Sequence, residues 1–102
     1  MKIQINARRF TLTKALTRYI KRRLKFALGS QLEHVTRVDV TLSDINGPKG
    51  GEDKRCQILL KIKGQGDVVI EDTQSHLYAA IDRAASRASQ TTTKRIARLR
   101  HK

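Results

Sequence analysis

The chain has 102 residues, four aromatics with no Trp, one Cys and a net charge of +13. That length supports one domain with a modest core, built here from Val, Ile, Leu and Ala, and a single Cys excludes an internal disulfide or a Cys-pair metal framework. No apolar run approaches the ~20 residues of a bilayer span, and the N-terminus lacks the apolar region of a signal peptide, so the expected location is the cytosol.

Placement of the charge is more informative than its size. All nine acidic residues lie between Glu33 and Asp82, a window that holds six Lys/Arg. Residues 8–25 carry eight Lys/Arg and residues 83–102 carry seven, and neither stretch has an acid. Two cationic flanks therefore enclose a near-neutral middle. Such self-repulsion costs stability, and a polyanionic partner is the usual reason for a chain to carry it.

In chain order, residues 2–6 alternate around Ile3 and Ile5 and predict a short first strand. Arg8, Arg9 and Phe10 form a connection. Thr11 or Thr13 then caps a helix that runs to Leu28, with Gly29 suited to the left-handed residue that ends it. At 100° per residue Leu16, Ile20, Leu24, Ala27 and Leu28 share one face, bordered by Leu12 and Tyr19. Lys14, Arg18, Lys21 and Lys25 form a stripe on the opposite side, with Arg22 beside it. Arg23 falls near the apolar edge, where it has to snorkel. A solvated helix face normally mixes signs, because opposite charges at i,i+4 attract and like charges repel. This stripe has one sign only, so it reads as a binding face.

Residues 30–34 connect to a second strand, 35–43, with Val38, Val40 and Leu42 on one side and Arg37, Asp39 and Thr41 on the other. A glycine-rich loop follows, with Asp44 and Asp53 at its ends. These two acids are read mainly as turn-setters, and Lys49, Lys54 and Arg55 as possible direct contacts. Cys56, Ile58, Leu60 and Ile62 define a third strand. Gly64-Gln65-Gly66 turns into a fourth at 67–71, which completes an antiparallel meander. Asp72, Thr73 or Ser75 caps a second helix over residues 77–99. Its apolar face is Leu77, Ala80, Ile81, Ala84, Ala88 and Leu99. Arg83, Arg87, Lys94 and Arg98 form another one-sign stripe, about 22 Å long at 1.5 Å per residue. Thr91-Thr92-Thr93 is a weak point where β-branching predicts fraying or bending.

Signals for catalysis are poor. His34, His76 and His101 stand at ends or turns, away from other metal-ligand types. Cys56 is in phase with Ile58 and Leu60, as a small buried hydrophobe would be. Neither Gly64-Gln65-Gly66 nor Gly47-Pro48-Lys49-Gly50-Gly51 opens a helix as a phosphate-binding loop must. No enzyme activity, cofactor, metal or small-molecule substrate is expected. For nucleic acid, Phe10, Tyr19, Phe26 and Tyr78 all lie outside the strands, so no aromatic sheet platform for single strands is expected. Helix-borne cations on phosphates, reading the shape of folded RNA, fit better.

The order strand, helix, three strands, helix resembles the ribosome hibernation-promoting factors and ribosome-associated inhibitors of bacteria and plastids. The likeness rests on three motifs. The first is Leu12-Thr13 with Leu16 and Tyr19-Ile20; the second is Asp44-x-Asn46-x-Pro48-x-Gly50-Gly51-x-Asp53-Lys54-x-Cys56. The third is Leu77-Tyr78-Ala79-Ala80-Ile81-Asp82 with Ala84. The resemblance implies an α+β fold of order β-α-β-β-β-α, both helices on one face of a four-stranded sheet, similar to double-stranded-RNA-binding domains. It also implies binding to the small ribosomal subunit, in the channel between head and body that messenger and the A- and P-site transfer RNAs use, with translation silenced. Arg18, Lys21, Arg22, Lys25, Arg83, Arg87, Lys94 and Arg98 would then meet ribosomal RNA, with Lys54 a further candidate.

The chain stops at Lys102, without a domain like the one with which long forms pair ribosomes. The expectation is a single-domain short form, monomeric when free. Two rivals stay open at this stage: a general double-stranded-RNA or RNA-chaperone module, and a basic amphipathic membrane anchor made by the first helix. A subunit acting on transcription machinery is a third.

Overall fold

Alternation in the first residues produces β1, Lys2–Arg8, two residues longer than predicted. It pairs in parallel with β2, Val35–Asp44, with Ile3 opposite Val38 and Ile5 opposite Val40. A computed structural model describes residues 2–45 and 53–100, except the side chains of Leu99 and Arg100. Asn46, Gly47, Pro48, Lys49, Gly50, Gly51 and Glu52 of the loop motif lie outside the described residues, as do His101 and the predicted core contact of Leu99.

The strands β3, Lys54–Ile62, and β4, Gly66–Gln74, complete an antiparallel meander on β2. The result is a mixed sheet in the order β1-β2-β3-β4. One face of it is apolar: Val38, Val40, Leu42, Cys56, Ile58, Leu60, Ile62, Val68 and Ile70 are all buried. The link between β2 and β3 is closed by the Ile45 amide on the Asp53 carbonyl at 2.9 Å. The tight turn into β4 is closed by Gln65 on Ile62.

The helix α1, Lys14–Leu28, starts where Thr13 Oγ1 accepts from the Leu16 amide at 3.1 Å. It ends at Gly29, whose φ of +46 is reached freely only without a side chain. Leu16, Ile20, Leu24 and Leu28 are buried against the sheet, as their spacing predicts. The connection to β2 is a 3-10 segment, Gly29–His34.

The helix α2, Leu77–Arg100, lies over β3 and β4 and beside α1. Contacts between the two helices advance together along both sequences, from Tyr19 on Asp82 to Arg23 on Ser86, so the helices run parallel. One continuous core unites both helices with a single face of the sheet.

Two expectations need correction. Asp72 and Thr73 do not cap α2, because β4 continues through them in register with Cys56 and Arg55. The triple threonine does not interrupt α2 either. Thr93 Oγ1 is hydrogen-bonded to the Ser89 carbonyl one turn back (2.9 Å) and accepts from Gln31 of the 3-10 segment, while Thr92 packs inward. The buried positions Ala84, Ala88, Thr92 and Ile96 recur every four residues, so the buried stripe winds slowly around the helix. Sequence reading found the first two.

Thr92 is fully buried and its hydroxyl has no hydrogen-bond partner among the described residues. An unmet buried hydroxyl costs about 1–3 kcal/mol, so Thr92→Val should raise stability by about 1 kcal/mol in chemical denaturation. A loss of stability would show that the hydroxyl is satisfied in solution.

Candidate nucleic-acid interface

The outer surface of the helix pair is built by the residues that the core leaves over. Because Leu16, Ile20, Leu24 and Leu28 turn α1 toward the sheet, Lys14, Arg18, Lys21, Arg22 and Lys25 are all exposed. Among the described residues none of these five is in an ion pair. Lys94 and Arg98 of α2 are likewise exposed and unpaired there. In α1 and α2 together Asp82 is the sole acid.

Asp82 is used at the seam between the helices. It accepts the Tyr19 hydroxyl, and the Arg23 guanidinium lies 3.3 Å from it and 3.0 Å from Ser86 Oγ. That hydrogen bond to Asp82, before burial, raises the Tyr19 phenol above its ordinary 10.0. Arg23 thus crosses to the neighbouring helix rather than snorkelling outward. Tyr19 also meets Tyr78 edge to face, with ring centroids 4.7 Å apart.

Arg83 and Arg87 differ from the other stripe cations. Both reach Asp72 of β4, at 3.5 and 3.3 Å, and Arg87 also donates to the Glu71 carbonyl. Asp72 is only 8% exposed, whereas the arginines are 63% and 48% exposed. The sheet carboxylate therefore orients two arginines whose outer edges stay free to bind. Since Asp72 is in register with Cys56, its charge adds to burial in pushing the Cys56 thiol up to about 12. That thiol is protonated at neutral pH.

Lys54 stands at the start of β3. Its ammonium is 2.9 Å from Asp44 and 3.4 Å from Asp53, and Asp53 is buried. The hydrogen bond to Asp44 raises the Lys54 pKa. This ion trio staples the base of the β2–β3 link, which gives Lys54 a structural role whether or not it also touches RNA.

The opposite face of the sheet has the mixed character of a solvated surface. Arg37 pairs with Asp39 at 3.0 Å and donates to Gln4, and Gln57 donates to Glu71. Sequence reading missed three features. Arg8, Arg9 and Arg55 gather at one end of the sheet around Ser43 and Asp44, which cross-strand register alone reveals. Arg95 is half-buried on the β3–β4 turn. Phe26 is 83% exposed, and the helical wheel already sets it off the apolar face.

Among the described residues no cluster of His, Cys, Asp and Glu could hold a metal, and no helix is long and apolar enough to cross a membrane. What remains is a row of exposed positive charge on each helix, suited to a polyphosphate backbone.

Comparison with known proteins agrees with the fold. The family model described as "Sigma 54 modulation protein / S30EA ribosomal protein" matches residues 3–100. The crystal structure of the Thermus thermophilus Protein Y N-terminal domain is 28% identical, with a TM-score of 0.77 over 92% of this chain and 98% of that one. A ribosomal subunit interface protein from Coxiella burnetii is 15% identical, with a TM-score of 0.81 over 95% of this chain and 99% of that one, and supports the fold alone. No curated protein matches the sequence.

Proposed function

The chain belongs to the Sigma 54 modulation protein / S30EA ribosomal protein family, and from that premise we propose that it is a ribosome hibernation factor. It binds small-subunit ribosomal RNA in the decoding channel, excludes messenger and transfer RNA, and silences translation in the cytoplasm. The observation that carries this reading is the pair of parallel helices whose exposed Lys14, Arg18, Lys21, Arg22, Lys25, Lys94 and Arg98 make no ion pair among the described residues.

Physically, the proposed action is occupancy. A helix pair held on a sheet meets folded RNA with its backbone already ordered, so the freedom lost on binding is mainly that of the lysine and arginine side chains. Lys14, Arg18, Lys21, Arg22 and Lys25 line one row. Arg83, Arg87, Lys94 and Arg98 line the other, the first two held by Asp72. Phosphate contacts fix register and orientation without reading base sequence. No cofactor or small-molecule substrate enters this mechanism, and bound protein blocks translation by filling the space that messenger and transfer RNA need.

The test is co-sedimentation with vacant small subunits, large subunits and duplex RNA at rising salt. Selective binding to the small subunit, lost when messenger and initiator transfer RNA are already bound, is the expected result. Equal retention on every RNA would overturn the decoding-channel assignment and leave a general basic RNA-binding module.

A further inference from the structure

Phe26 is the most exposed large hydrophobic side chain of the described residues, at 83%. Single exposed apolar residues are common on protein surfaces, so exposure alone says little. Its surroundings say more. Phe26 lines a depression on the outer surface of α1 together with Tyr19, Arg22 and Arg23. Across the seam, Asp82, Arg83, Ser86, Arg87 and Gln90 line a neighbouring depression on α2. Since Arg23 and Tyr19 are tied to Asp82, the floor between the two is closed by hydrogen bonds. The ring thus stands at the rim of a cation-lined trough, with both guanidiniums one turn before it on the same helix.

Resting on the ribosomal-RNA reading above, we propose that Phe26 is a stacking platform for one unpaired nucleobase of the bound RNA. An apolar protein partner would have to desolvate Arg22 and Lys25 to cover the ring, with nothing to offset their charge. A nucleotide brings both complements at once: a flat π-face for the ring and a phosphate for the cations. A duplex cannot supply this contact, because its bases are stacked on one another; a bulged or loop base can. Gln90, and the hydroxyl proton of Ser86, whose oxygen already accepts from Arg23, line the neighbouring depression as hydrogen-bonding groups for the edge of such a base. The site adds a helix-borne aromatic contact to an interface that is otherwise electrostatic.

Stacking and electrostatics separate by salt. Base–aromatic stacking is lost about 5- to 150-fold on alanine substitution and releases no counterions. Phe26→Ala should therefore weaken small-subunit binding at least fivefold while the slope of log K against log salt stays at the wild-type value. Phe26→Leu should be as weak as the alanine variant, and Phe26→Tyr should retain binding. The chain has no Trp, so Phe26→Trp installs its single indole at the site, and the emission of that indole should be quenched when vacant small subunits are added. Full binding by the leucine variant, or a blue shift without quenching, would overturn the proposal in favour of apolar packing on a ribosomal protein. Unchanged affinity of the alanine variant would overturn it while the ribosomal reading stands. Failure of the wild-type protein to bind the subunit would overturn both.

Discussion

Replacing Arg18, Lys21, Lys25 and Lys94 together by Gln should lower affinity for the small subunit by about a thousandfold near 0.1 M salt, each neutralised phosphate contributing ~0.9 to the salt slope of log K. The slope itself should fall by about 3 to 4. These four were chosen because they are exposed and make no ion pair among the described residues. Glutamine has a helix propensity close to that of Lys and Arg, so the helices should survive. Thermal stability should hold or rise slightly, since removing like charges relieves repulsion. Arg87 is a poorer choice, because its loss would also leave Asp72 with one partner fewer. Titration of labelled protein with subunits at four or five salt concentrations measures slope and affinity together. An unchanged slope would show that the RNA is met by some other surface.

Much of this architecture was legible because each element obeys its own periodicity. Val38, Val40 and Leu42 alternate, Leu16, Ile20 and Leu24 recur at helical spacing, and both sets bury where their period places them. Local chemistry also marked the ends of α1, in Thr13 and Gly29. The limits of reading appear where an outcome depends on contacts between elements. Asp72 looked like a helix cap since carboxylates favour that position. Pairing with β3 instead carried the strand onward, and the same carboxylate became the anchor of Arg83 and Arg87. Intrinsic propensity argues against the threonine run, and tertiary packing overrides it: Thr92 is held inside the core, and Gln31 of the 3-10 segment donates to Thr93. Arg23 showed its proximity to the apolar edge but not its partner, because Asp82 is 59 residues away in sequence. The cation stripes are visible on a helical wheel; that the helices run parallel is not.

Stability and binding should come apart in the opposite direction at Leu24. Its side chain is fully buried between α1 and the sheet, on the side of the helix away from Arg18, Lys21 and Lys25. Leu24→Ala removes its buried methyl groups and leaves a cavity that neighbouring Ile20 and Leu28 fill only in part. The expected loss is about 2–5 kcal/mol, against a total of roughly 5–15 kcal/mol for a domain of this kind. Denaturant titration should show the midpoint falling with little change in slope, since the surface exposed on unfolding is nearly the same. Under conditions where the variant remains folded, its affinity for the small subunit should stay within about twofold of wild type, because the cation rows are carried by the intact helix surface. If Leu24→Ala instead weakened binding as much as removal of the four cations does, the helices would have to be repositioned by a core defect. The rigid, preset charge array on which the electrostatic reading rests would then be the wrong description of the interface.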